Sequence, residues 1–114
     1  MPYLKIQSNQ RITDEQQQQI VREASSLVAN EIGKPERYVM VAFDPVIPMM
    51  FAGSVEPCAY LELKSIGLPE SRTADLSKAL CEFISRHMNI LPDRIYIEFS
   101  DAPRAMWGWN SGTF

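Results

Sequence analysis

The chain repeats itself at half its length. "YLKIQS" at 3–8 lies over "YLELKS" at 60–65, and "KPERYVMVAFD" at 34–44 lies over "LPDRIYIEFSD" at 91–101, both at an offset of 57 in a chain of 114 residues. Tyr3, Leu4 and Ser8 recur as Tyr60, Leu61 and Ser65, while Pro35, Arg37 and Asp44 recur as Pro92, Arg94 and Asp101. Two blocks at one common offset mark an internal duplication, so the unit built by the first half is built again by the second.

All four blocks read as strands, over 2–8, 38–44, 58–66 and 94–100. In the first and third, Leu4, Ile6, Leu61 and Leu63 alternate with Lys5, Gln7, Glu62 and Lys64, the period of a sheet with one buried and one polar face. Helical patterns fill the gaps between the strands of each half. Thr13 with Gln16 three residues on is a capping box, and Ile20, Ala24, Leu27, Val28 and Ile32 then share one face. Gly33 and Pro35 stop that helix. The second helix starts after Pro69 and carries Leu76, Leu80, Phe83, Ile84 and His87 on its inner stripe, with Met88 beside them. His87, the single histidine, reads as a partly buried side chain near a favourable helix C-terminus rather than a ligand. "VIPMMF" at 46–51 is interrupted by Pro48 and reads as an edge or irregular strand.

Each half is therefore β–helix–β, and a helical crossover pairs its two strands in parallel. The expected fold is α+β: a duplicated βαβ unit with a four-stranded mixed sheet and both helices on one face. It forms a single domain over 1–114, with pseudo-repeats about 1–57 and 58–114. A 46% hydrophobic content is enough for a small core. The exposed-looking stretches "VIPMMFAG" and "RAMWGWNSGTF" carry more apolar surface than a lone chain of this size presents, which points to a homo-oligomer.

Several function classes drop out on composition. A net charge of −3 lacks the basic face of a nucleic-acid binder. No 18-residue apolar run offers a membrane span, and no apolar segment follows basic residues at the N-terminus as in a secretory signal. Cys58 and Cys81, 23 residues apart, form neither a disulfide framework nor a metal site. They read as two buried thiols in a reducing compartment, so the cytoplasm is the expected location.

Pro2 is the residue with the sharpest chemical reading. It stands where the second repeat has Ala59. Trimming of Met1 would leave a secondary amine at the head of a strand. Ordinary α-amino groups titrate at about 7.7–8.0. Desolvation and a nearby cation lower such a value toward the working pH, where a general base is most effective.

Pro2 after Met1, "GKP" at 33–35, "EPC" at 56–58, "SIG" at 65–67, "PDRIYI" at 92–97 and "GWNSGTF" at 108–114 together resemble the macrophage migration inhibitory factor family of the tautomerase superfamily. The similarity runs over the whole chain and implies a trimer of the duplicated βαβ unit. It also implies keto–enol tautomerisation of aryl pyruvates such as phenylpyruvate, and of dopachrome-type substrates, with neither metal nor cofactor. Carried over by motif, the catalytic base is Pro2 and the basic residue of the turn is Lys34. Ile66 would offer its backbone N–H to a substrate carboxylate, beside Ser65 and Lys64. Tyr96 would reach the site from an adjacent subunit, and Tyr38, Trp107, Trp109 and Phe114 would surround an aromatic pocket.

Three positions depart from the family's usual residues: Glu98 in place of an amide, Trp107 in place of an aliphatic residue, and Tyr3, which is larger than usual. Cys58 lacks the second cysteine of a Cys-x-x-Cys pair, so thiol–disulfide exchange is not expected. The competing reading is a cytokine-like protein that binds a receptor and keeps only a weak or vestigial pocket. Hydration or dehalogenation on the same amine is less favoured, because no arginine adjoins Pro2 in the sequence.

Overall fold

A computed structural model describes residues 1–44 and 46–114. Four strands form the main sheet: β1 (Tyr3–Ser8), β2 (Met40–Phe43), β3 (Ala59–Ile66) and β4 (Ile95–Ala102), in the order β2-β1-β3-β4. β1 runs parallel to β2, β3 runs parallel to β4, and the two halves meet where β1 pairs antiparallel with β3. The duplication is thus visible as two parallel β–helix–β units, and the mixed sheet anticipated from the repeat is present.

The helices α1 (Asp14–Ile32) and α2 (Thr73–Met88) cover one face. Thr13 and Gln16 cap the start of α1 reciprocally, satisfying two of the N–H groups a helix start leaves without partners. Gly33 ends the helix at φ 74°, a left-handed conformation cheap only for glycine. The sheet residues facing the helices (Leu4, Ile6, Leu61, Leu63) pack against Ile20, Ala24, Val28, Leu76, Leu80 and Ile84 in one buried cluster. The opposite face carries Lys5, Gln7, Tyr60, Glu62 and Lys64, none of them fully buried.

The structure changes several sequence readings. The strand expected over 38–44 begins only at Met40, because Pro35 leads Glu36–Tyr38 into a turn of 3-10 helix closed by a 2.9 Å bond from the Val39 N–H to the Glu36 carbonyl. β4 runs two residues beyond the expected 94–100. The segment 46–51 adds no strand to the sheet; Phe51 and Ser54 exchange two 3.0 Å backbone bonds around Ala52 and Gly53, both at positive φ. Cys58 is fully buried, but Cys81 is only half-buried, and desolvation there raises its thiol pKa, partly offset by a hydrogen bond with Ser77.

The tail forms a hairpin, β5 (Gly108–Trp109) and β6 (Gly112–Thr113). Its two connecting residues, Asn110 and Ser111, sit at φ 51° and 65°, the pair of positive φ angles that a two-residue type I′ turn needs.

Candidate active site

Pro2 is fully buried immediately before β1. Its carbonyl accepts a 2.9 Å hydrogen bond from the Met40 N–H, which ties it to the start of β2. At this end of the sheet Tyr3 lies opposite Met40 on one side and Lys64 on the other. The tail hairpin closes over the same end, and a cleft of about 530 Å³ opens between them. Met1, Pro2 and Tyr3 line one part of it, Arg37, Tyr38, Val39 and Met40 another, and Lys64, Trp107, Gly108, Trp109 and Phe114 the rest.

Aromatic rings form one wall of this cleft. Trp109 and Phe114 stack with centroids 5.0 Å apart, and both meet Tyr38 edge-on at 6.0 and 5.8 Å. The tail is held in place by a 3.2 Å bond from the Phe114 N–H to the Trp107 carbonyl. Such edge-to-face contacts add to simple area burial, and they leave Trp109 52% exposed, with surface free to meet a flat ligand.

Two effects act on the N-terminal amine. The Met1 ammonium has its pKa lowered from the ordinary value, first by burial and then by the positive charge of Lys34. Both causes penalise the charged form. Lys64, lining the cleft, is 3.4 Å from Glu62 across the open face of the sheet.

Of the residues singled out from the sequence, Pro2, Tyr38, Lys64, Trp107, Trp109 and Phe114 converge on the cleft. Lys34 acts on it through its charge. Ser65 does not reach it: its side chain faces the helices, is fully buried, and its hydroxyl donates to the Ile66 carbonyl at 3.4 Å. Ile66 ends β3 beyond Lys64, outside the cleft lining. Tyr96 lies elsewhere in the protomer. It pairs with Tyr60 across β3–β4 and packs on Phe51 at 4.6 Å, and it is 65% exposed. Glu98 is also away from the cleft, accepting a 3.2 Å hydrogen bond from the Tyr60 hydroxyl. Burial, then the charges of Glu98 and Glu62, push the Tyr60 hydroxyl pKa up.

Sequence reasoning missed Arg37, Val39 and Met40 as cleft residues. They follow the "GKP" turn directly, so the turn that carries Lys34 was the available signal. A larger opening of about 680 Å³ lies beside Val46, Ile47, Met49 and Met50, but among the described residues no ionisable side chain lines it. Among the described residues no group of three metal-ligating side chains occurs, and no helix is long and apolar enough to cross a membrane.

The model of the macrophage migration inhibitory factor family matches residues 1–114. The chain belongs to that family. A migration inhibitory factor homologue from Prochlorococcus marinus superposes with a TM-score of 0.93 at 42% identity, covering 98% of each chain. A homologue from Brugia malayi is 34% identical over 116 residues, covering 100% of this chain and 99% of the other. The Xenopus tropicalis migration inhibitory factor is 36% identical over 96 residues, covering 83% of this chain and 84% of that protein. Family membership and the α+β sheet thus agree with the fold read from the duplication.

Proposed function

We propose that the chain is a keto–enol tautomerase of phenylpyruvate-like aryl pyruvates, working as a homotrimer with the amine of Pro2, freed by removal of Met1, as its general base. One observation carries the reading: Pro2 is buried in an aromatic cleft where burial and the Lys34 charge lower the pKa of the neighbouring Met1 amine. The resemblance to the migration inhibitory factor family supports it independently.

In the ketonising direction the neutral amine takes the enol hydroxyl proton. The carbonyl forms as the electron pair of the C=C bond moves to the β-carbon, which takes the proton back from the prolinium. One group moves one proton, so the amine ends the cycle neutral. Lys34, with Lys64 in the cleft lining, is assigned to the substrate carboxylate; the Ile66 N–H, outside that lining, keeps this role only by the family resemblance. The Tyr38, Trp109 and Phe114 wall takes the aryl ring, and Tyr96 enters from the neighbouring subunit.

The test compares trimmed, Met1-retaining and Pro2→Gly proteins in phenylpyruvate enol-to-keto conversion. The Met1-retaining form should lose about 10²–10⁴-fold, the usual contribution of a positioned base, because an amide nitrogen takes no proton. Pro2→Gly should fall less and keep its assembly. Equal rates for all three would make the proline structural, and no turnover by any of them would leave the cytokine-like binding role as the function.

A further inference from the structure

Arg37 and Arg94 occupy equivalent positions in the two repeats, but they spend their donors differently. The Arg94 guanidinium donates to the carbonyls of Phe51, Ser54, Glu56 and Pro57 at 3.0–3.2 Å and lies over the Phe51 ring at 5.2 Å. Arg37 keeps only the aromatic half of that arrangement: its guanidinium lies over the Tyr38 ring at 4.7 Å. Its neighbour Glu36 is engaged elsewhere, accepting from the Ser26 hydroxyl at 3.3 Å. Among the described residues, no carboxylate lies within 4.0 Å of Arg37 in an ion pair.

This arginine lines the cleft. Among the described residues lining it, the charged side chains are Arg37 and Lys64, both cationic, in a chain of net charge −3. Lys64 is partly neutralised by Glu62; Arg37 is not. The two cations of the turn are also separated in effect, since Lys34 acts on the amine whereas Arg37 is fixed to the aromatic wall. A guanidinium held over a ring beside the aryl-binding surface, with no hydrogen-bond acceptor for its N–H groups among the described residues, suits a second carboxylate at the far end of an aryl ligand.

We propose that the cleft prefers a dianionic aryl ligand, an aryl pyruvate with a second acidic group on its ring, and that Arg37 is the specificity-determining residue that reads that group. The substrate assignment rests on the tautomerase reading above; the preference for two anions rests on the cleft itself.

The experiment uses the trimmed full chain and its Arg37→Gln and Arg37→Lys variants. Substrates are phenylpyruvate and phenylpyruvate carrying a para-carboxylate. The wild type should favour the dianion in kcat/KM. In Arg37→Gln that ratio should fall about fivefold, the upper range for an exposed ion pair, chiefly through KM, and Arg37→Lys should restore part of it. Added salt should erode the ratio in the wild type and leave it nearly flat in Arg37→Gln.

A loss of equal size on both substrates would place Arg37 on the shared carboxylate and overturn the proposal, as would no loss on either. A second readout needs no turnover: quenching of Trp107 and Trp109 fluorescence by benzoate and by benzene-1,4-dicarboxylate. The dicarboxylate should bind more tightly to the wild type, with the difference gone in Arg37→Gln. No turnover of either substrate with that binding difference intact would sink the tautomerase reading and keep Arg37 as the anion reader. Turnover without any preference would sink the present proposal alone.

Discussion

The amine at the head of β1 is placed by three separate residues: Met40, whose N–H holds the Pro2 carbonyl, Lys34, whose charge reaches the terminal amine, and Tyr3, which begins the strand pairing. The Met1 amine already has its pKa pushed below the usual 8.0 by burial, then by Lys34. Pro2 adjoins Met1 in the same cleft, so its freed amine should feel the Lys34 charge and whatever burial the cleft keeps once Met1 is gone. A lowered amine pKa leaves more neutral base at pH 7, and the rate should rise with pH and then level off as the amine deprotonates. Lys34→Ala removes a neighbouring positive charge and so raises that pKa; the rising limb of kcat/KM should move to higher pH, with the largest loss on the acid side. A pH–rate profile on trimmed protein checks this, and an unmoved limb would reduce Lys34 to carboxylate binding alone. Pro2 and Lys34 were legible as residue types at motif positions. Arg37 was not, because a sequence cannot show that its repeat partner Arg94 is bonded to four carbonyls while Arg37 has none among the described residues.

Elements with a strong period were legible to within a few residues, and those defined by backbone conformation were not. α1 followed from its capping box and Gly33, since these local signals act before tertiary contacts form. The tail hairpin went unread because its turn is "NS" rather than the commoner Asn-Gly, and its strands are only two residues each. The 51–57 loop was likewise opaque, because a residue 37 or more positions away organises it. Asn9 adds to that, donating to the Val55 and Glu56 carbonyls and accepting from the Cys58 N–H. Arg94→Ala should therefore strip donors from several carbonyls at once. At about 1 kcal/mol for each bond not replaced by water, a cost of about 2 kcal/mol is expected for this partly exposed set. Thermal unfolding should show Tm lower by roughly 8 °C or more. Amide exchange should quicken in 51–57 more than in α1. A Tm within a degree of wild type would mean water replaces the guanidinium at little cost.

At the scale of the whole molecule, the protomer holds Pro2 and Tyr96 at separate places. Pro2 is buried at the cleft, while Tyr96 stands 65% exposed beside Phe51, outside the cleft lining. Met40, Met50, Val55 and Met106 are also more than 60% exposed, an apolar surface that association would cover. If the site is shared, neither residue alone makes an active protomer, and two defective chains should repair each other. Pro2→Gly chains keep Tyr96, and Tyr96→Ala chains keep Pro2. Each variant alone should be weak. After dissociation and reassembly in equal amounts, about a quarter of the sites would combine an intact Pro2 with a neighbour's intact Tyr96, by random assortment in a cyclic trimer. Activity should recover to about that share of wild type, and sedimentation should give three times the 13.0 kDa of the chain. A site built within one protomer gives a different result: every chain in the mixture then lacks one residue of its own site, so the mixture shows only the mean of the two variants. That outcome would remove the neighbour's Tyr96 from the site, whatever the assembly state.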